Sequence, residues 1–168
     1  GCERNIYRFT EGSVYGTVYH VSYQSEVDYT VEIRQEMERV NQSLSMFNKE
    51  SVIARWNRGE SERVDSLFVT MYEKAREVYE ATGGGFDITV APLVNAWGFG
   101  FKNEKLPSDG KIDSLLQYVG MDKVQLEGVR LVKLVEGVQI DASSIAKGLG
   151  VDLVAEFFDR EGVQNYMI

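Results

Sequence analysis

The sequence predicts an α+β fold in which helices pack against a mixed or antiparallel sheet. Strand-like and helix-like patterns come in batches along the chain, whereas a doubly wound sheet would show strict alternation. The 168 residues are 43% hydrophobic and include 8 Phe, 9 Tyr and 2 Trp. This content suits a buried core and argues against a disordered chain. We therefore expect a single domain over residues 1–168, which we also expect to be incomplete at its C-terminus.

Charge and composition exclude several function classes. A net charge of −8 argues against sequence-independent nucleic-acid binding, which depends on Lys and Arg neutralising phosphates. No apolar run approaches the ~18 residues that a membrane-spanning helix needs. The single cysteine, Cys2, excludes internal disulfides, and the single histidine, His20, excludes a histidine-rich metal site. His20 lies in the middle of a strand-like segment, which disfavours a Ser-His-Asp triad.

The N-terminal half predicts paired strands followed by two helices. The segment "YRFTEGSVYGTVYHVSY" alternates apolar and polar residues, so we expect two strands or one strand broken by a bulge. Ser25-x-x-Asp28 resembles a capping box, and a first helix follows from four apolar residues at helical spacing: Ile33, Met37, Val40 and Leu44. We expect "NKESVIARWNRGE" to be a polar loop that carries Trp56. A second helix runs from about Asp65 to Thr82, where "GGG" ends it.

The C-terminal half predicts shorter elements. Pro92 excludes a regular central strand in "FDITVAPLVNAWGFGF". Ser108 is expected to cap a third helix with an apolar side formed by Ile112, Leu115 and Leu116. The segment "KVQLEGVRLVKLVEGVQI" predicts an antiparallel meander with turns at residues 127–128 and 136–137. A fourth helix begins at Ser143 or Ser144 and ends at Gly162, and "VQNYMI" begins another strand.

The segment "IDASSIAKGLG", residues 140–150, joins a predicted strand to the fourth helix and permits three interpretations. Ser144 and Lys147 match the Ser-x-x-Lys pattern of penicillin-binding enzymes, in which a lysine activates a nucleophilic serine. The companion Ser-Asp-Asn and Lys-Thr-Gly elements are absent, so this is the minority interpretation. Alternatively, the two serines only cap the helix and the glycines only pack.

A phosphate and metal site explains more of the same residues. Asp141 offers a hard oxygen ligand for Mg²⁺. With Ser143 and Ser144 as caps, the helix start can bind an anion, and Lys147 adds a positive charge one turn further on. A second segment of similar character, "GGGFDITVAPLVNAWGFG" at 83–100, combines glycines, an acid and aromatic residues, as in sites for flat cofactors. The alternative for this second segment is a buried aromatic corner.

Four segments in this order resemble the ApbE family of FAD:protein FMN transferases. They are "YGTVYHVSY" at 15–23, "LSMFNKESVIARWN" at 44–57, "GGGFDITVAPLVNAWGFG" at 83–100 and "IDASSIAKGLGVD" at 140–152. The resemblance implies an ApbE-like, T-fold-type architecture of which this chain is the N-terminal half. It also implies a C-terminal half with further metal ligands and more of the flavin pocket.

The resemblance assigns site residues by position. Those that would contact the flavin are Tyr15, Phe47, Gly85, Phe86, Asp87, Asp141 and Lys147. Tyr15 stands where many members have a methionine before Gly-Thr. Ser144 matches the hydroxyl residue that helps to hold Mg²⁺, and Lys147 and Asp141 are the expected catalytic residues.

The implied reaction is attack of a threonine hydroxyl of a target protein on the FMN phosphorus of FAD, with AMP as leaving group. Mg²⁺ would offset the pyrophosphate charge. The implied partners are FAD and a flavoprotein subunit of a membrane redox complex, and no nucleic acid. Alternatives are hydrolysis of FAD to FMN and AMP, a module that only binds FAD, and the serine acyl-enzyme.

The resemblance also implies a location. Residues 1–5 are expected to be an N-terminal tether, with a lipid on Cys2 that anchors the protein at the periplasmic face of the bacterial inner membrane. We further expect the fold to be completed by a C-terminal fragment or by another copy of the chain.

Overall fold

The computed structural model describes residues 6–14, 17–94 and 108–168, and these form an α+β arrangement, as predicted. In chain order the elements are β1 (Tyr7–Val14), β2 (Thr17–Gln24), α1 (Thr30–Leu44), α2 (Val52–Asn57), α3 (Ser66–Ala81), α4 (Ala91–Val94), α5 (Asp109–Leu116), β3 (Val124–Glu127), β4 (Arg130–Lys133), α6 (Ser143–Glu161) and β5 (Tyr166–Met167). Short 3₁₀ turns cover residues 88–90 and 121–123. Within this part of the chain, no helix has the length and apolar character needed to cross a membrane.

The strands form two antiparallel sheets. β1 and β2 pair along their whole length, from Tyr7 opposite Gln24 to Val14 opposite Thr17, so the N-terminal pattern is a hairpin. β5 pairs with the other edge of β2, giving the order β1-β2-β5, and β3 and β4 form a separate hairpin. The predicted final strand is therefore confirmed.

Helices α1 and α6 pack against each other and against the three-stranded sheet. The apolar contact between them and the sheet is formed by Val21, Tyr23, Ile33, Met37, Val154, Phe157 and Phe158. Gly150 permits close packing, because a Cβ atom there would lie only 3.1 Å from Sδ of Met37. At the far end, the Arg160 guanidinium lies 3.7 Å from the Glu36 carboxylate and links the two helices.

The expected polar loop around Trp56 is wrong, because α2 forms there. The Ser51 hydroxyl caps this helix by accepting a hydrogen bond from the Ala54 N–H at 3.1 Å. Ile53 and Trp56, three residues apart, are fully buried, and the Trp56 indole N–H donates to the Leu131 carbonyl oxygen at 2.8 Å. Two buried side chains at helical spacing thus outweigh the polar composition of the segment.

Three smaller expectations also differ from the structure. No capping box forms before α1, because Asp28 accepts from the Thr30 N–H and Ser25 from the Val27 N–H. The expected meander contains only β3 and β4, since residues 138–140 form no strand. In α5, Leu116 is exposed rather than inside.

The ends of the longer helices are confirmed. Asp65 caps α3 by accepting from the Phe68 N–H at 2.8 Å, and α3 ends just before Gly83 and Gly84, which have positive φ. α5 begins after its cap Ser108. α6 ends at Gly162 in a left-handed conformation.

The contact at Gly150 generates a paired stability prediction. Gly150→Leu inserts a side chain between α1 and α6, so we expect the free energy of unfolding to fall by ~1–3 kcal/mol. Gly148→Leu is the matched control, because no atom lies within 4 Å of a Cβ placed there and leucine favours the helix by up to ~1 kcal/mol. Urea denaturation measures both. Equal stability of the two variants would show that the helices do not pack closely at Gly150.

Candidate functional site

The start of α6 is organised by a carboxylate rather than by the serines. One carboxylate oxygen of Asp141, Oδ1, accepts hydrogen bonds from the Ser143 N–H at 2.9 Å and from the Ser143 hydroxyl at 2.5 Å. Ala142 occupies the N-cap position and no side chain caps the helix there. The expectation that Ser143 and Ser144 cap α6 is therefore wrong, since Asp141 bonds the first helical amide and Ser143 supports Asp141. This arrangement places a negative side chain at the positive end of the helix dipole.

Asp87 has the same local geometry in the other cofactor-like segment. Its Oδ1 accepts from the Thr89 N–H at 2.8 Å and from the Thr89 hydroxyl at 2.6 Å. The Thr89 side chain is fully buried, and its hydroxyl oxygen also accepts from the Gly120 N–H at 2.6 Å. Both acids therefore occur as Asp-x-Thr/Ser units with one carboxylate oxygen engaged locally.

The two acidic segments lie side by side. The Asp141 N–H donates to the Ile88 carbonyl oxygen at 2.9 Å, so the backbone directly after Asp87 contacts the backbone of Asp141. The Asn57 side chain holds the preceding residue, Ile140. Its amide nitrogen donates to the Ile140 carbonyl oxygen and its oxygen accepts from the Ile140 N–H, both at 2.8 Å. Sequence reasoning missed Asn57 and Thr89. The sequence marks them only by their presence inside the segments 44–57 and 83–100.

Gly85 and Phe86 lie next to Asp87 on the turn that follows α3. The Phe86 N–H donates to the Thr82 hydroxyl at 3.0 Å, which fixes the start of this turn. Gly85 is exposed, whereas Phe86 is half-buried and packs against the larger apolar core. Phe86 therefore borders both the core and a cavity between α3 and α6.

Phe47 is an exposed aromatic side chain on an ordered loop. Its side chain is 76% exposed, while its backbone N–H donates to the Ser45 hydroxyl at 3.2 Å. The Ser51 hydroxyl in turn donates to the Ser45 carbonyl oxygen at 2.7 Å. Sδ of the neighbouring Met46 lies 3.8 Å from the Asn57 amide nitrogen. Through Asn57, the Phe47 loop is therefore connected to the segment that carries Asp141.

Two cavities flank the first half of α6. The first, of about 490 Å³, contains Lys147 together with residues of β1, β2 and β5. The second, of about 480 Å³, lies between α3 and α6 and contains Phe86 and Ser144. Lys147 and Ser144 thus face different sides of the helix. Tyr15 lies outside the described residues, but its chain neighbour Val14 lines the first cavity with Lys147.

The acyl-enzyme interpretation gains no support from this geometry. Ser144 and Lys147 are both exposed. Across the described ranges, no hydrogen bond connects the Ser144 hydroxyl to the Lys147 ammonium. A lysine that activates a serine needs such a contact.

The oxygen atoms near Asp141 suit a hard cation but form only part of a coordination shell. Carboxylate and hydroxyl oxygens of Asp141 and Ser144 are the ligand type that Mg²⁺ prefers. The second carboxylate oxygen of Asp141 accepts no hydrogen bond from the residues that the structure describes. Among those same residues, no three His, Cys, Asp or Glu side chains cluster as a metal site. The assignment of Ser144 to the metal stays a prediction.

Comparison with solved structures gives close matches at moderate identity. The flavin transferase ApbE from Vibrio cholerae superposes with a TM-score of 0.89 and 32% identity, covering 96% of this chain and 56% of that chain. The Pseudomonas stutzeri flavinyl transferase ApbE, in its apo form, superposes with a TM-score of 0.86 and 29% identity, covering 96% and 55%. The described fold is therefore that of ApbE flavin transferase structures.

Curated relatives agree with this structural likeness. The FAD:protein FMN transferase of Vibrio cholerae serotype O1 is 32% identical over 100% of this chain and 54% of its own length. The enzyme of the same name from Haemophilus influenzae is 34% identical over 94% and 50%. This chain thus spans about half the length of these relatives. Since the model of the ApbE family matches residues 15–168, the chain belongs to the ApbE family.

Proposed function

We propose that the protein to which this chain belongs is a Mg²⁺-dependent FAD:protein FMN transferase, and that this chain supplies the larger part of its flavin site. The observation that carries the proposal is the hydrogen bond from the Asp141 N–H to the Ile88 carbonyl oxygen. It places two acids with hydroxyl partners, Asp87 and Asp141, on adjacent segments at the start of a helix. Two relatives that bear this enzyme name support the same activity.

The proposed reaction exchanges a phosphoanhydride bond, in the pyrophosphate of FAD, for a phosphoester bond to the acceptor. The oxygen of a threonine hydroxyl on the acceptor protein bonds to the FMN phosphorus of FAD. The bond from that phosphorus to the bridging oxygen breaks, AMP leaves with the electron pair, and the hydroxyl proton is released. When bound, Mg²⁺ would neutralise charge on the pyrophosphate.

The start of α6 and Lys147 provide the positive potential for this step. The start of a helix carries the positive end of its dipole and can bind an anion. Because Asp141 bonds the Ser143 N–H and the Ala142 carbonyl oxygen bonds the Ile145 N–H, the amide of the first turn that remains for an anion is that of Ser144. Lys147 lies one turn further, on the side of the first cavity. Positive groups fixed where negative charge develops lower the barrier most when they do not have to reorganise. Asp141, held by Ser143, supplies oxygen to the cation, and Ser144 is proposed as a second oxygen ligand.

Phe47, Gly85 and Phe86 suit recognition of the flat parts of FAD. An exposed ring on an ordered loop, as at Phe47, can stack on a ring system at little entropic cost. Gly85 leaves the backbone accessible beside Phe86, which borders the second cavity. Tyr15 stays a predicted flavin contact.

The acceptor and the cellular location extend the proposal beyond the described residues. We propose an acceptor subunit of a membrane redox complex, and a lipid on Cys2 that keeps the enzyme at the periplasmic face of the inner membrane. These proposals rest on the family resemblance and on the position of Cys2.

Mass spectrometry of the acceptor after incubation with FAD and Mg²⁺ separates transfer from hydrolysis, because both release AMP but only transfer adds FMN to a threonine.

The paired acids generate a binding prediction. We expect Asp87→Ala and Asp141→Ala each to weaken FAD binding by roughly tenfold or more, because each change removes charge-assisted hydrogen bonds that order the site. Isothermal calorimetry with the protein at its natural length measures this effect. Asp159→Ala is the matched control, since Asp159 is an exposed acid at the far end of the same helix and should leave the affinity unchanged. Parental affinity in both site variants would remove the acids from the flavin site.

Lys147 generates a prediction about charge. Lys147→Met should leave the fold intact, because the side chain is exposed. It should reduce FAD binding or FMN transfer by about 1.5–3 kcal/mol, the usual contribution of a charge-assisted contact. Lys147→Arg keeps the charge and should retain more activity than Lys147→Met. A stable Lys147→Met protein with parental flavin affinity and AMP release would exclude a phosphate role.

The partial oxygen shell generates a prediction about residues 1–168 expressed alone. We expect this segment to lack transferase activity, because Mg²⁺ requires a near-complete set of oxygens. We also expect it to self-associate or to bind a C-terminal fragment, since Tyr7, Phe9 and Val18 expose large apolar side chains on its sheet and such patches favour association. Light scattering and an FMN-transfer assay test both points. A monodisperse monomer with full Mg²⁺-dependent activity would contradict the proposed metal site.

A further inference from the structure

Residues 138–142, which connect the β3-β4 hairpin to α6, form no strand and have no neighbouring strand among the described residues. Val138, Ile140 and Ala142 are fully buried, whereas Gln139 and Asp141 are exposed. This alternation is that of a strand. A buried backbone N–H or C=O without a partner costs ~1–3 kcal/mol, so the buried middle of the segment needs partners that neither sheet provides.

The Asn57 side chain supplies both partners for Ile140. Its amide nitrogen donates to the Ile140 carbonyl oxygen and its oxygen accepts from the Ile140 N–H, each at 2.8 Å. A side-chain amide presents the same donor and acceptor as a peptide group. Asn57 therefore replaces one pairing residue of a neighbouring strand, from a position at the end of α2.

The next residue is held by a different element. The Asp141 N–H donates to the Ile88 carbonyl oxygen. Ile140 is therefore held by α2, and Asp141 is held by the 3₁₀ turn that follows Asp87. Beyond them, the Asp141 carboxylate bonds Ser143 and α6 begins. The backbone position of Ile140 thus determines where this carboxylate and the start of α6 lie.

The same amide also contacts the aromatic loop. The Asn57 amide nitrogen lies 3.8 Å from Sδ of Met46, the residue before Phe47. The Asn57 side chain therefore connects the loop that carries Phe47 with the segment that carries Asp141.

We propose that Asn57 is a positioning residue of the flavin site, which acts through Ile140 and Asp141 without touching the flavin. The proposal rests on the proposed function, because it assumes that Asp141 serves FAD. It predicts that removing the Asn57 side chain reduces the magnitude of the free energy of FAD binding by more than it reduces the free energy of unfolding.

Two variants of Asn57 and one matched control test the proposal in the protein at its natural length. Asn57→Ala removes both hydrogen bonds, and we expect FAD binding to weaken by roughly tenfold, the effect of losing about one net hydrogen bond. Trp56→Phe is the control, because it removes a buried side-chain-to-backbone hydrogen bond from the adjacent residue of α2 but leaves Ile140 paired. It should lower stability and change FAD affinity by less than about twofold.

Asn57→Asp provides a readout that a purely structural role would not give. An ionised carboxylate accepts from the Ile140 N–H but cannot donate to the Ile140 carbonyl oxygen, whereas a protonated carboxyl group can do both. FAD affinity of this variant should therefore be low near pH 8 and recover as the pH falls through the pKa of the introduced carboxyl group, whose ordinary value is about 3.9. The parent protein, measured over the same pH range, corrects for every other pH-dependent contribution to FAD affinity, including that of the site carboxylates Asp87 and Asp141.

Hydrogen exchange tests the positioning without any ligand. In Asn57→Ala, the Ile140 and Asp141 amides should lose protection, while Trp56→Phe should retain it at matched overall stability. Unchanged protection in Asn57→Ala, or equal losses of FAD affinity in Asn57→Ala and Trp56→Phe, would overturn the proposal. A parent protein that binds no FAD would instead overturn the proposed function, and exchange at Ile140 and Asp141 would still decide whether Asn57 fixes this segment.

Discussion

The hydrogen bond between the Asp141 N–H and the Ile88 carbonyl oxygen joins the two acidic segments, which are far apart in the sequence. Each segment organises its own acid locally, Asp87 through Thr89 and Asp141 through Ser143. Local order alone would leave the acids in arbitrary relative positions. The backbone contact removes this freedom, and the packing of α6 on α1 and α3 keeps the helix start in register with it.

Helix α6 serves packing and the site with different faces. Gly150 faces α1 and permits a close approach to Met37, whereas Gly148 faces open space beside the second cavity. Its second half carries Phe157 and Phe158, which pack under the three-stranded sheet. In its first half, Ala146 and Leu149 are buried in the larger core, so the helix is anchored along its length, and Ser144 and Lys147 lie on its exposed sides.

Much of the fold could be predicted from periodicity, and the exceptions have local causes. Ile33, Met37 and Val40 predict the amphipathic helix α1, because the apolar pattern repeats over several turns. The glycines after α3 and α6 predict where those two helices end. Helix α2 has only six residues, too few for a periodic pattern. Its burial follows from the Trp56 bond to Leu131, 75 residues away.

The site shows the same division between local and distant causes. Residue types and the family resemblance point to both acidic segments, since each is marked by acids, hydroxyls and glycines that are close in sequence. The partner of Ile140 could not be predicted, because a side chain that replaces a strand leaves no repeating pattern. The sequence predicts Ser143 and Ser144 as the caps of α6, whereas the side chain that bonds the first helical amide is that of Asp141. An aspartate two residues before a serine can accept a hydrogen bond from the serine N–H. The residue types alone therefore do not show whether the aspartate or the serine bonds the start of the helix.

The pairing of Asn57 with Ile140 also has a consequence for folding. These residues are 83 positions apart, so their contact closes a long loop, whose entropic cost is met only when much of the intervening chain is ordered. Contacts of this separation form late relative to local helices. A nascent or partly folded chain that already contains α1 and α3 would therefore lack the arrangement of Ile140 and Asp141 on which the proposed flavin site depends. Under the proposed function, flavin would bind only chains in which α2 and α6 have docked, and its binding free energy would add to the cooperativity of the final folding step.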